Sequence, residues 1–266
     1  MWDIVPIVNS VKSGKNVSNK IKIALILGLR FCQKFSLFGL GKLLNHTVKS
    51  IILETDVRFR IGTLGDFIVF SSIWEPQVKS VFRFHEGMVF LDVGAHIGKY
   101  AVRAGLKIGK EGRIIAIEPN VDNFRVLVQN LEINQIKNCI PLNIAAYNSD
   151  VELQLFVGSD SAKHSVKENS SRGSQKVNAR ALDNVLRELK INRVDLVKID
   201  VEGAEYEVLK GLEKTLRNQS PRLFIEILRS DQEKVLSYLH EQGYREEVLY
   251  QLSSFKDGLM YYYFKK

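Results

Sequence analysis

The chain has 266 residues, 45% of them hydrophobic and 26% charged, which is enough to bury a full core without a disulfide or metal staple. Its net charge of +8 is uneven: residues 1–50 hold eight Lys and Arg against the single Asp3, a net +7, so the rest of the chain is nearly neutral. The two cysteines, Cys32 and Cys139, lie far apart and read as small buried hydrophobes of a reducing compartment, which excludes a disulfide framework, a redox pair and a zinc site.

In chain order, Ile21 to Leu44 comes first as a strongly apolar stretch, interrupted by Lys22, Arg30, Lys34 and Lys42. Those charges exclude an unbroken span of about 20 apolar residues, and no small-residue cleavage site marks a signal peptide. A basic, apolar helix of this kind packs as a lid on a core or lies on an anionic membrane surface. The expected location is cytoplasmic, with peripheral membrane contact through this helix as the alternative. Nucleic-acid binding is not expected, because no recognition motif or aromatic platform accompanies the charge. Ser50 to Arg60 reads as a strand, paired with Phe67 to Phe70 across the turn Gly62-Thr63-Leu64-Gly65, and Trp74 to Gly87 as a short helix and loop. Residues 1–87 are thus a basic extension with a helix and short strands, and 88–266 a catalytic domain.

From Met88 onward, strands and helices alternate as a parallel sheet with right-handed crossovers requires. The spacing predicts strands at 89–94, 113–118, 139–143, 194–200 and 222–228. It predicts helices at 97–107, 121–134, 203–217 and 231–242. A polar region at about 158–176 interrupts the pattern, and two final strands near 246–251 and 258–264 are expected to be antiparallel, since a short loop joins them.

Two segments carry the chemistry. Val89-Phe90-Leu91-Asp92-Val93-Gly94-Ala95-His96-Ile97-Gly98 is an apolar strand breaking into a glycine turn at a helix start, and the next strand, Arg113 to Ile117, ends in Glu118-Pro119-Asn120. This β-α-β unit is how an α/β sheet holds an adenosine-bearing cofactor: Gly94 and Gly98 permit a tight turn and a close approach, and Glu118 can accept hydrogen bonds from both ribose hydroxyls. A dinucleotide turn carries a further glycine where this chain has His96, and Asp92 would repel a pyrophosphate. S-adenosylmethionine has no phosphate and presents a cationic amine and a sulfonium, so it suits Asp92 better, which points to a class I methyltransferase. In the second segment, Val194 to Glu205, an apolar strand delivers Asp200 to the carboxyl edge beside Gly94, and Gly203 is expected to start the next helix. Asp200, Glu202 and Glu205 gather acid at a helix N-terminus. For Glu205 the preferred reading is capping; for Asp200 it is chemistry.

Phe90-Leu91-Asp92-Val93-Gly94-Ala95, Glu118-Pro119-Asn120 and Lys198-Ile199-Asp200-Val201-Glu202-Gly203-Ala204-Glu205 resemble the three signatures of the FkbM family of S-adenosylmethionine-dependent methyltransferases, over roughly residues 88–228. The resemblance implies an α/β fold of class I methyltransferase type: a Rossmann-like, mostly parallel seven-stranded sheet of order 3-2-1-4-5-7-6 with helices on both faces, here with an N-terminal helical and hairpin extension. It implies O-methylation of a hydroxyl on a carbohydrate, glycolipid or secondary metabolite, so the expected partner is a small-molecule, glycan or glycolipid acceptor. It also implies S-adenosylmethionine sites: Asp92, Gly94, Ala95, His96 and Gly98 toward the methionine end, Glu118, Pro119 and Asn120 at the ribose, and Asn143, Ala145 and Ala146 beside the adenine, with Asp200 nearby. The family's turn usually has Asn at the place of His96, a departure that bears on cofactor affinity.

Methyl transfer is an in-line displacement that needs alignment and the loss of the acceptor's proton. Asp200 is the expected concerted base and Glu202 a partner to the acceptor or the cofactor amine, while His164, with Ser161 and Ser165, is a rival base because histidine titrates near neutrality. A metal is not expected, since only Asp200 and Glu202 are local acids. The rival functions are a nicotinamide-dependent oxidoreductase and a non-catalytic module that binds membranes or acidic partners.

Overall fold

The computed structural model describes residues 52–54, 58–60, 82–157, 164–166, 173–252 and 259–266. The expected basic helix, the partner strand at Phe67 to Phe70 and the stretch from Trp74 to residue 81 lie outside the described residues. Within the predicted strand of Ser50 to Arg60, two short strands, β1 (Ile52–Glu54) and β2 (Arg58–Arg60), pair antiparallel with each other, so the hairpin lies inside that segment. Residues 82–87 lead into the core without a helix.

The main sheet begins with β3 (Val89–Val93), buried along its whole length, followed by α1 (Lys99–Gly105), β4 (Arg113–Ile117), α2 (Val121–Ile133) and β5 (Cys139–Leu142). After an intervening region come β10 (Leu196–Ile199), α4 (Glu205–Gly211), α5 (Glu213–Gln219), β11 (Arg222–Leu228), α6 (Gln232–Glu241), β12 (Arg245–Leu252) and β13 (Leu259–Lys265). The strand order is β12-β13-β11-β10-β3-β4-β5. Numbered along this sheet alone it runs 3-2-1-4-5-7-6, as expected. The five strands from β5 to β11 are parallel, and β13 runs antiparallel to both β11 and β12.

Alternation along each strand divides the core into two layers, because successive side chains point to opposite faces. Leu91, Val93, Ile115, Val197, Ile199, Ile225 and Ile227 pack on one face with residues of α4, α5 and α6. Phe90, Ile114, Ala116, Leu196 and Phe224 pack on the other with residues of α1 and α2. This second face also carries Asp92 and Lys198, whose Cα positions are in register.

Two helical expectations are corrected. The segment 203–217 is two helices: α4 starts at Glu205, not Gly203, and ends at Gly211. A side chain at Gly211 would meet the carbonyl oxygen of Tyr147 at 2.0 Å, so the glycine lets this helix lie against a neighbouring strand, and the chain restarts as α5 at Glu213. The helix predicted at 97–107 begins at Lys99, because Gly98 is a left-handed N-cap with φ of 94°.

The region between β5 and β10, for which the sequence suggests only an irregular interruption, contains a second sheet. It consists of β6 (Ala145–Tyr147), β7 (Val151–Val157), β8 (His164–Ser165) and β9 (Ser174–Ala181), in the order β6-β9-β7-β8, followed by α3 (Leu182–Glu188). Its small core is Ala145, Leu155, Val177 and Ala179.

Candidate active site

The carboxyl ends of β3, β4, β10 and β11 meet in one place. Asp92 lies inside β3, fully buried, where the backbone N–H of Ala101 and the Lys198 ammonium face its carboxylate, and neither oxygen has a close hydrogen-bond partner among the described residues. Its nearest cation is Lys198 Nζ, 3.8 Å from Oδ1. Burial raises the Asp92 carboxyl to about 6, against the pull of Lys198 and with a further push from Asp200.

Lys198, itself buried, is the centre of this group. Its Nζ donates to the carbonyl of Gly94 at 3.0 Å and pairs with Asp200 Oδ2 at 3.1 Å, and it stands 5.4 Å from the centre of the Tyr100 ring. Lys198 is the one charge within the strand Leu196-Val197-Lys198-Ile199, set where alternation turns it to a buried face, and no role was expected of it from the sequence.

The turn after β3 is held from within. Gly94 and Ala95 both donate their backbone N–H to Ile117 O, His96 N donates to Glu118 Oε2 at 2.9 Å, and Gly98 N donates to Ala95 O. The close approach that excludes a side chain at Gly94 is to the chain itself: a Cβ there would stand 1.8 Å from the carbonyl oxygen of Asp200. His96 adopts φ of 52°, a conformation that asparagine and histidine tolerate better than most residues.

Glu118, at the tip of β4, is buried. Its Oε2 accepts from His96 N, and Oε1 accepts from Asn120 N at 3.0 Å and Asn123 Nδ2 at 3.5 Å. Burial pushes its carboxyl up, while His96 and these hydrogen bonds pull it down. Asn120 caps α2, its Oδ1 accepting from Asp122 N and Asn123 N. Asn143 donates through Nδ2 to the carbonyls of Glu118 and Pro119, which fixes the tip of β4. Ala145 and Ala146 are buried in β6, in different core clusters.

On the other side of β3, Asp200 stands 31% exposed after β10. Glu202 follows with φ of 54°, then Gly203 with φ of 101°. The expectation of only two local acids fails, because Glu226 of β11 joins Asp200 and Glu202, with one oxygen from each within 4.8 Å of the others. Sequence reasoning missed Glu226 because it sits 24 positions beyond Glu202, and only the pairing of β10 with β11 brings it in. Three carboxylates at this separation can hold a divalent cation, although Lys198 already neutralises Asp200. His164 lies in β8 opposite Val157, and its neighbour Ser165 donates Oγ to the carbonyl of Glu202 at 2.7 Å. Ser161 lies outside the described residues. Glu205, buried at the start of α4, accepts from Gly203 N through Oε1 at 2.8 Å, and burial raises it to about 7.

A parallel sheet of this strand order, with a glycine turn after its first strand and acids at the tips of the second and fourth, defines a class I methyltransferase fold. The chain belongs to the family described as the methyltransferase FkbM domain, whose model matches residues 92–246. Among curated relatives it is 31% identical over 133 residues to the hexuronic acid methyltransferase AglP of Haloferax volcanii, covering 50% of this chain and 53% of AglP. It therefore spans about half the length of that relative. It is 25% identical over 167 residues to a probable cobalt-precorrin-6B C(15)-methyltransferase of Sulfurisphaera tokodaii, covering 63% of this chain and 68% of that one. Among solved structures, the methyltransferase FkbM of Methylobacillus flagellatus matches with a TM-score of 0.51 at 16% identity, covering 98% of this chain and 58% of that one, a likeness of fold. No helix among the described residues is long and apolar enough to cross a membrane.

Proposed function

We propose that this protein uses S-adenosylmethionine to methylate a hydroxyl of a carbohydrate or glycolipid. The observation that carries the cofactor reading is the occupation of the turn amides. Gly94, Ala95, His96 and Gly98 direct their N–H groups to acceptors inside the protein, so these four amides are not free donors for the pyrophosphate of a nicotinamide dinucleotide. Two further features suit a ligand with a cationic end and a diol: Asp92 is a buried carboxylate with no close hydrogen-bond partner among the described residues, and Glu118 keeps acceptor capacity at the strand tip after three hydrogen bonds. The resemblance to AglP, a hexuronic acid methyltransferase, supports a sugar acceptor.

In this reading Asp92, Lys198 and the 94–98 turn hold the methionine end, Glu118 the ribose, and the tip of β4 with Asn143 the adenine side. S-adenosylmethionine supplies the electrophilic methyl when bound. Asp200 accepts the proton of the acceptor hydroxyl as the bond to carbon forms, a role worth about 10²–10⁴ in rate. Lys198 fixes Asp200 through one oxygen, and Glu202 and Glu226 line the acceptor side.

The test is calorimetric titration with S-adenosylmethionine and NAD, followed by transfer of a labelled methyl group to neutral and uronic pyranosides. Saturable binding of S-adenosylmethionine alone, with label in a sugar ether, is the expected result. Binding of NAD alone would overturn the cofactor reading, and label recovered as a methyl ester would move the acceptor from hydroxyl to carboxylate.

A further inference from the structure

Five described residues other than glycine have positive φ: His96, Gln135, Lys190, Glu202 and Ser220. Gln135, Lys190 and Ser220 follow the ends of α2, α3 and α5, where a left-handed residue is an ordinary way to stop a helix. His96 and Glu202 instead occupy the turns after β3 and β10, two adjacent parallel strands. A left-handed residue other than glycine persists only where its surroundings fix it. His96 is fixed by the Glu118 carboxylate. Glu202 is fixed from two sides: Ser165 Oγ donates to its carbonyl at 2.7 Å, and Glu205 Oε1 accepts from the next amide, Gly203 N, at 2.8 Å.

The two fixings of Glu202 differ in origin. Glu205 belongs to the helix that follows the turn. Ser165 is 37 residues away in β8, the last strand of the small sheet, and it is buried at 7% exposure. Its strand is paired to β7 through Phe156, so the hydroxyl is delivered by a sheet that shares no strand with the main one. The small sheet has a second attachment to the site, Gln175 Nε2 donating to Pro119 O at 3.3 Å. It therefore touches the tips of β4 and β10, the two strands that flank β3.

From this arrangement we infer that Ser165 is a positioning residue for Glu202, so that the small sheet sets where the acceptor-side carboxylate stands. The inference rests on the methyltransferase reading of the site. Ser165 takes no proton from the acceptor; it holds the Glu202 backbone in the left-handed turn that aims the carboxylate toward Asp200 and Glu226.

The experiment compares Ser165→Ala and Ser165→Thr with the full wild-type chain by hydrogen exchange of the 201–204 amides, calorimetry with S-adenosylmethionine, and methyl transfer to the sugars above. Removing one neutral hydrogen bond should speed exchange at 202–204 about 5-fold in Ser165→Ala. It should lower kcat by a similar factor while S-adenosylmethionine affinity stays within error and the melting temperature falls by only the few degrees that one hydrogen bond costs, and Ser165→Thr, which keeps the hydroxyl, should restore exchange and kcat. Unchanged exchange in Ser165→Ala would overturn the inference, as would a loss of cofactor affinity in parallel with kcat or a fall in melting temperature well beyond that of one hydrogen bond, the mark of a merely structural role. If wild type fails to bind S-adenosylmethionine, the methyltransferase reading fails, and the exchange of 202–204 still decides whether Ser165 holds the turn.

Discussion

Glu118 accepts a hydrogen bond from the backbone N–H of His96 at 2.9 Å, tying the tip of β4 to the left-handed turn after β3. The other oxygen accepts from Asn120 N, so both face amide donors. In Glu118→Gln the new NH₂ group must oppose one of those donors. The expected outcome is a loss of about 1.5–3 kcal/mol of S-adenosylmethionine binding, the range for a hydrogen bond to a charged group, measured by calorimetry. Affinity within twofold of wild type would remove Glu118 from the cofactor site.

Asp200→Asn separates binding from chemistry. Asn keeps the size of the side chain and an oxygen for Lys198 Nζ, which stands 3.1 Å from Oδ2, but it cannot accept a proton as a carboxylate does. Cofactor affinity should stay within a few-fold while single-turnover methyl transfer falls by about 10²-fold or more. An unchanged single-turnover rate would pass the role of base to Glu202, Glu226 or His164.

Lys198→Met leaves Asp92 buried with no cation at 3.8 Å and releases the Gly94 carbonyl. Removing one partner of a buried pair typically costs about 3–5 kcal/mol. Denaturant unfolding should show a loss of that order, and Asp92→Asn combined with Lys198→Met should recover part of it. Additive losses in the double variant would show that the two residues are not coupled.

The large sheet was legible because buried parallel strands are written as continuous apolar runs, such as Ile114 to Ile117 and Leu223 to Ile225, closed by charged or glycine residues. The small sheet was not read from the sequence. Val177 and Ala179 alternate with Lys176, Asn178 and Arg180, but its core of four residues is too small for a strong apolar signal. At the site, Asp92, Glu118 and Asp200 could be found from their places at strand ends. Lys198 and Glu226 could not be assigned to it in the same way, because their proximity depends on the lateral order of β3, β10 and β11. Asn120, which follows Glu118 in Glu118-Pro119-Asn120, also caps α2.

Glu205 gives the site a pH signature with a definite sign. Burial raises its carboxyl from 4.5 to about 7, with Asp231 and Asp200 adding to the rise and the hydrogen bond from Gly203 N opposing it. The folded protein thus binds this proton more tightly than the unfolded chain, where the group titrates near 4.3. Its contribution to stability is complete below about pH 4 and is lost as pH rises through about 7. Asp92, raised to about 6, acts in the same direction over a lower window. Glu205→Gln keeps an acceptor for Gly203 N and removes the titration. Its melting temperature relative to wild type should therefore rise between pH 5 and about pH 7 and level off above that, whatever its starting offset. Parallel curves for the two proteins across that range would mean that Glu205 is ionised throughout, with the turn at Glu202 held by a carboxylate.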